Sequence, residues 1–241
     1  MSASAQPVTF LYEDAVMAVV DKPAGVPVVP APGLAAGECL RDRVAAALGT
    51  RAWVVHRLDR DTSGGVVFAR TPEAHRTLSI AFEYREVRKR YVALTWGVPD
   101  PPAGVIDLAL HEARKGRARP AAPGEPGARP ATTGYRVTRV WRDGGRTAAR
   151  VIATPETGRH HQIRVHLRAI GAPVLGDAIY GRAALGHLSG VPVPRLALHA
   201  EALDLPHPSG ERRLVVEAPW PADLGALQAW LDAHWMAGDL A

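Results

Sequence analysis

Apolar residues recur along this chain in two rhythms. From Arg88 to Val98 they alternate, with Tyr91, Ala93 and Thr95 on one side and Val92, Leu94 and Trp96 on the other, the two-residue period of a strand. Phe10 to Val20 reads as two short strands around a Glu-Asp turn, ending at the loop Lys22-Pro23-Ala24-Gly25. The four-residue spacing of Leu40, Val44 and Leu48 instead predicts a helix from Cys39 to Leu48. A loop from Val54 to Gly65 leads into the apolar strand Val66-Val67-Phe68-Ala69. Thr71 and Pro72 then mark the cap and first turn of a helix running to about Tyr84. Tyr135 to Trp141 and Thr147 to Ala153 predict two strands joined by a hairpin turn at Asp143-Gly144-Gly145. Ile163, Leu167 and Ile170 form the apolar stripe of a helix from His161 to Ile170. Two late strands, Leu196 to Leu205 and Leu214 to Ala218, precede a closing amphipathic helix, Ala222 to Trp235.

Between Glu112 and Thr133 the periodicity dissolves into Arg, Gly, Pro and Ala, the composition of an exposed basic loop over 112–133. Strands outnumber helices and several are joined by short turns. The expected class is therefore α+β, with a largely antiparallel mixed β-sheet and flanking helices. No internal repeat and no linker composition divides the chain, so one domain over residues 1–241 is expected, with 1–8 flexible.

Composition narrows the function classes. With 47% hydrophobic residues, 241 residues can bury a core without staples. No apolar run is long enough to cross a membrane as a helix, and the N-terminal MSASAQPVTF lacks the pattern of a secretory signal, so a cytoplasmic protein is expected. The single cysteine, Cys39, excludes an internal disulfide and a Cys-rich zinc site. Net charge is +5, carried by arginine, since lysine occurs only at Lys22, Lys89 and Lys115. Guanidinium groups grip phosphate bidentately and stack on bases, which raises the expectation of a nucleic-acid partner.

Two segments concentrate chemically useful residues. The first, His56-Arg57-Leu58-Asp59-Arg60-Asp61-Thr62-Ser63-Gly64, places two carboxylates among three basic side chains in a loop before a rigid strand. That pattern suits either a solvated turn laced with ion pairs or a carboxylate kept ionised for use as nucleophile or base. The second, Thr157-Gly158-Arg159-His160-His161-Gln162-Ile163-Arg164-Val165-His166, opens a helix whose backbone N–H groups can meet an anion. Its histidines argue against a metal. His161 and His166 are five residues apart, about 140° around a helix, where a helical zinc pair needs four. No phosphate-binding loop, dinucleotide fingerprint or serine nucleophile elbow occurs.

The first segment resembles the signature of the RluA family of pseudouridine synthases, with Asp59 on the family's catalytic aspartate. Lys22-Pro23-Ala24-Gly25-Val26-Pro27-Val28 is similar to the family's early Lys-Pro loop. The second segment, continuing to Gly176-Asp177 and Tyr180-Gly181, resembles its later motif, and Leu196-Ala197-Leu198-His199-Ala200 its closing strand. Tyr91 aligns with the active-site tyrosine. The resemblance spans roughly residues 10 to 220.

It implies an isomerase that turns uridine into pseudouridine within ribosomal RNA or tRNA, a reaction that needs no metal, nucleotide or other cofactor. A monomer with no membrane partner is expected. The resemblance also implies Asp59, Tyr91 and Arg164 as catalytic residues, Arg164 being the ion-pair partner of Asp59. His56, Arg57, Arg60, Thr62, Arg159, His161 and Gln162 are the expected substrate-binding residues. The competing reading is a catalytically idle RNA-binding protein on the same scaffold. Retention of Asp59, Tyr91 and Arg164 together speaks against it, since binding alone needs no nucleophile.

Overall fold

The structure is a computed structural model that describes residues 7–33, 35–113, 116–181, 190–210 and 212–238. The expected flexibility of 1–8 falls largely outside them. In chain order the first elements are β1 Thr9–Glu13, β2 Met17–Lys22, α1 Leu40–Leu48, β3 Trp53–Val54, β4 Ser63–Ala69, α2 Pro72–Glu83 and β5 Arg88–Trp96. The predicted punctuation holds here: the Thr71 side chain accepts from the Ala74 N–H and caps α2, while Pro72 takes the first turn, where it has no N–H to leave unbonded.

The remaining elements are β6 Ala103–Asp107, β7 Leu110–Ala113, β8 Arg117–Pro120, β9 Thr132–Asp143, β10 Arg146–Pro155, α3 Gln162–Ala169, β11 Leu198–Pro206, β12 Arg213–Glu217, α4 Ala222–His234 and β13 Met236–Gly238. The class is α+β, as expected. One expectation needs correction. The start of the segment read as a basic loop instead belongs to two paired antiparallel strands, with Leu110 opposite Pro120 and Ala113 opposite Arg117, while residues 121–131 lie outside any strand. Its order comes from a few small anchors rather than a periodic face. Leu110, Ala118 and Ala131 are buried with Val165 and Tyr180, while Arg117, Arg119 and Arg129 stay exposed.

The chain forms two compact units. The first comprises 1–88 and 200–219, the second 89–199 and 220–241, so the chain passes between them three times with no linker composition at any passage. In the first unit β1–β2, β2–β4, β3–β4 and β11–β12 all pair antiparallel. All seven residues of β4 are buried. Met17, Val19, Val67, Ala69, Leu203 and Leu205 pack there against Leu78 and Ala81 of α2. In the second unit β10 pairs with both β5 and β9, and β9 also takes β6 and β13, all antiparallel. Its core gathers Leu94, Val140, Trp141 and Val151 with Leu167 of α3 and Leu224, Leu227 and Leu231 of α4.

Candidate active site

The expected site residues divide between the units: His56, Arg57, Asp59, Arg60 and Thr62 in the first, and Tyr91, Arg159, His161, Gln162 and Arg164 in the second.

In the first unit residues 55–62 form the loop from β3 into β4, and Asp59 sits half-buried within it. Lys22, fully buried at the end of β2, fixes this loop. Its ammonium donates to the carbonyl oxygens of Pro23 at 2.9 Å, Val26 at 2.7 Å and Arg60 at 2.8 Å. A lysine carries three protons, and three carbonyls receive them, which offsets the cost of taking the charge out of water. The Arg60 carbonyl also accepts from the Gly25 N–H at 2.9 Å, and Arg60 Nε donates back to the Gly25 oxygen at 2.9 Å. The Lys-Pro loop and the Asp59 loop are thus clamped one residue beyond Asp59, where the Thr62 N–H closes a turn on the Asp59 carbonyl at 3.2 Å.

Downstream, Gly64 adopts φ +116°, and a Cβ there would lie 2.2 Å from the Ala200 carbonyl oxygen. Only glycine lets β4 approach β11 so closely. His56 has a structural task as well. β3 ends at Val54, opposite Phe68, and the next inward N–H of β4, that of Val67, donates to His56 Nε2 at 3.0 Å. The imidazole, stacked on Phe82 at 4.6 Å, extends the ladder where the strand stops. The Thr62 hydroxyl is buried and meets no hydrogen-bond partner among the described residues. Arg57 and Asp61 are exposed.

In the second unit Tyr91 lies half-buried in β5, opposite Ala153 of β10, against the core. Arg164 is buried on α3 and pairs bidentately with Asp177, Nε to Oδ2 at 2.7 Å and Nη2 to Oδ1 at 2.9 Å. Asp177 follows Gly176 in the later motif and is not among the expected site residues. Burial raises its pKa, but the Arg164 hydrogen bonds and charge, with the N–H groups of Tyr180 and Ile179, outweigh that and hold it below the usual carboxylate value. The glycines around it make the turn feasible: Gly176, at φ +73°, lies so close to Arg195 that a Cβ would sit 2.0 Å from its carbonyl oxygen.

Tyr180 ties these parts together. Its ring lies 5.1 Å from the Arg164 guanidinium, and its hydroxyl accepts from the Ala118 N–H at 2.8 Å and meets His161 Nδ1 at 2.8 Å. His161, at φ +55°, holds a left-handed backbone at the start of α3. Gln162, expected to bind substrate, is buried and fully engaged within the protein. Its oxygen accepts from Thr157 Oγ1 and the Arg159 N–H, and its nitrogen donates to the Thr132 carbonyl and Thr133 Oγ1. The chain of bonds continues from Thr133 Oγ1 to His166 Nδ1 at 2.9 Å, and from His166 Nε2 to the Leu108 carbonyl at 3.0 Å. Because a carbonyl only accepts, Nε2 carries the proton and Nδ1 accepts from the Thr133 hydroxyl. Arg159 Nε donates to the Pro130 carbonyl at 3.1 Å.

Comparison with known proteins identifies the family. The family model described as RNA pseudouridylate synthase matches residues 16–169. The chain is 39% identical over 209 residues to the dual-specificity RNA pseudouridine synthase RluA of Salmonella typhi, covering 87% of this chain and 91% of the relative. It is also 39% identical to the ribosomal large subunit pseudouridine synthase D of Nitrosomonas europaea, over 93% of this chain and 65% of that one. Among solved structures it is similar to human RNA pseudouridylate synthase domain containing 1, with a TM-score of 0.76, 27% identity, and coverage of 100% of this chain and 93% of that one. The chain therefore belongs to the RNA pseudouridylate synthase family, RNA-modifying isomerases, and within it to the RluA group.

Proposed function

We propose that this chain converts specific uridines of ribosomal RNA or tRNA to pseudouridine, with Asp59 as the acting carboxylate. The reaction breaks the bond from ribose C1′ to uracil N1, turns the base, and rejoins it through C5. A stacked base is out of reach, so the target nucleotide is flipped into the site. There the Asp59 carboxylate either attacks C1′ or removes the C2′ proton to give a glycal. Both routes are redox-neutral and internal to one nucleotide, so neither calls for a cofactor.

The observation that carries this reading is the bracing of the Asp59 loop. Lys22 and Gly25 hold it at Arg60, and the close approach of Gly64 to Ala200 holds the strand that follows. A carboxylate kept in one place needs no reorganisation when the substrate arrives. The resemblance adds two roles: Arg164 is the ion-pair partner of Asp59, and Tyr91 stacks on the uracil and takes the C5 proton. Arg57, two residues before Asp59 in an exposed loop, fills the gap left by the flipped base or holds its phosphate. The protein works as a cytoplasmic monomer in this reading.

The test is conversion of total RNA from a host strain lacking the synthase, compared for wild type and Asp59→Ala by pseudouridine-specific chemical mapping. New sites with wild type, and at least about 10⁴-fold slower conversion with the variant, are expected. Equal conversion by both would remove Asp59 from the chemistry. Tight RNA binding without conversion by either would favour the idle binder.

A further inference from the structure

The first unit carries a cavity of about 500 Å³ that none of the motifs explains, set between α1, β3 and the start of α2. Its lining includes Arg41, Asp42, Arg51, Trp53 and His75. We propose that this cavity is a second RNA-binding subsite, which seats an unpaired nucleotide flanking the target uridine, with the phosphate on Arg51. The inference rests on RNA being the substrate.

Charge and geometry support it. Asp42 pairs with Arg41 at 2.7 Å, so the carboxylate in the lining is already matched. Arg51 has no carboxylate partner among the described residues. Its guanidinium instead lies 3.7 Å above the Trp53 ring, which holds the planar fork in one orientation with its N–H edge available to a phosphate. His75 contributes a directed acceptor. Its Nε2 lies 3.2 Å from the Val54 carbonyl, which can only accept, so Nε2 carries the proton and Nδ1 of the neutral ring holds a lone pair.

The His75 ring lies 5.4 Å from that of Trp53, and the Trp53 indole N–H has no hydrogen-bond partner among the described residues. One cation, one aromatic donor and one imidazole acceptor thus border a cavity within the size range of small-ligand sites. Aromatic faces beside cations are what single strands use for stacking and phosphate contact. Trp53 lies six residues before Asp59, which limits their separation to about 20 Å of extended chain. A few nucleotides can span that distance, so one strand can occupy both places.

Arg51→Glu tests the proposal, because Arg51 is exposed and its replacement leaves the core intact. Binding of an RNA containing the target site would be measured in an Asp59→Asn background across a salt series, and conversion kinetics in the otherwise wild-type protein. About tenfold weaker binding is expected, with a salt slope shallower by about 0.7, the share of one phosphate on a single strand. KM should rise by a similar factor while kcat at saturating RNA stays within twofold. Unchanged affinity and salt slope would overturn the subsite, even where wild type makes pseudouridine. Weakened binding in a protein that makes none would keep the subsite and overturn the catalytic reading instead.

Discussion

The Asp59 loop and the Arg164 helix carry motifs of similar length and polarity, yet they use their polar groups differently. In the loop the bracing comes from the backbone, from Lys22 far upstream and from the side chains at its two ends, His56 and Arg60, while Arg57 and Asp61 make no hydrogen bond or ion pair with any described residue. In the helix region the motif residues brace one another: Arg164 with Asp177, Gln162 with Thr157 and Thr133, His161 with Tyr180. One segment therefore leaves Arg57 and Asp61 exposed. The other spends nearly all of its own on contacts within its unit, among them the bidentate pair of the buried Arg164 with Asp177. Both are dense runs of polar residues, but only the first presents exposed charged side chains, Arg57, Arg60 and Asp61.

The sharpest way to break this comparison is to remove Asp177. If the second region exists to position Arg164, Asp177→Ala leaves a buried guanidinium without its bidentate partner. The expected loss is about 3–5 kcal/mol of stability, read as a lower urea midpoint, along with most of the turnover. A variant with an unchanged midpoint would show that solvent or another group replaces the carboxylate at no cost. Arg164 would then not depend on its scaffold.

A paired substitution is milder and more discriminating. Gln162→Ala removes four hydrogen bonds inside the second unit and is expected to cost about 2–4 kcal/mol. Its effect on RNA affinity should be no larger than that loss explains. Arg57→Ala should do the reverse, leaving stability within about 0.5 kcal/mol while slowing conversion at saturating RNA. Stability and activity falling together in both variants would erase the distinction between the two regions.

Much of this was legible in the residues, for reasons that differ by element. The strands β2, β5, β9 and β10 and the helices α1, α2 and α4 follow from periodicity and capping, because each buries a regular face or begins at a defined cap. The β7–β8 hairpin was not legible. It is anchored by three small or isolated residues, Leu110, Ala118 and Ala131, whose partners Val165 and Tyr180 lie far along the chain. The position of Asp59 in a loop before an apolar strand could be read directly. That Lys22 would clamp it could not, since the contact joins residues 38 positions apart through a backbone carbonyl that any amino acid would supply. Asp177 was visible as a letter in a motif, but its pairing with Arg164 depends on the turn at Gly176. Gln162 misled in the opposite direction. A polar residue at the head of a helix looks available to substrate, and only the fold reveals that Thr157, Arg159, Thr132 and Thr133 already occupy it.

The smallest expected effect concerns protons rather than contacts, and it tests whether the second region is as closed as its hydrogen bonds imply. His166 is fully buried at the end of the Gln162–Thr133 network. Burial pushes its pKa below the usual 6.5, outweighing the Leu108 carbonyl and the Asp107 charge, which favour the protonated ring. A second ring proton would point Nδ1–H at the Thr133 oxygen, which already accepts from Gln162, and would force the hydroxyl hydrogen to find a new acceptor. The unfolded chain takes up this proton near pH 6.5 and the folded protein only at lower pH. Stability is therefore full above pH 6.5, falls as pH drops from 6.5 toward the folded value, and levels off below it, by at most about 1.4 kcal/mol per pH unit. The carboxylate of Asp177, held low by Arg164, adds its own loss only below about pH 4, outside that window. Urea unfolding at pH 7.5 and 5.5 should show a larger loss for wild type than for His166→Gln, which cannot titrate. Equal losses would mean that the ring already gains its proton in the folded state without penalty, and the network around α3 would be open to water rather than sealed.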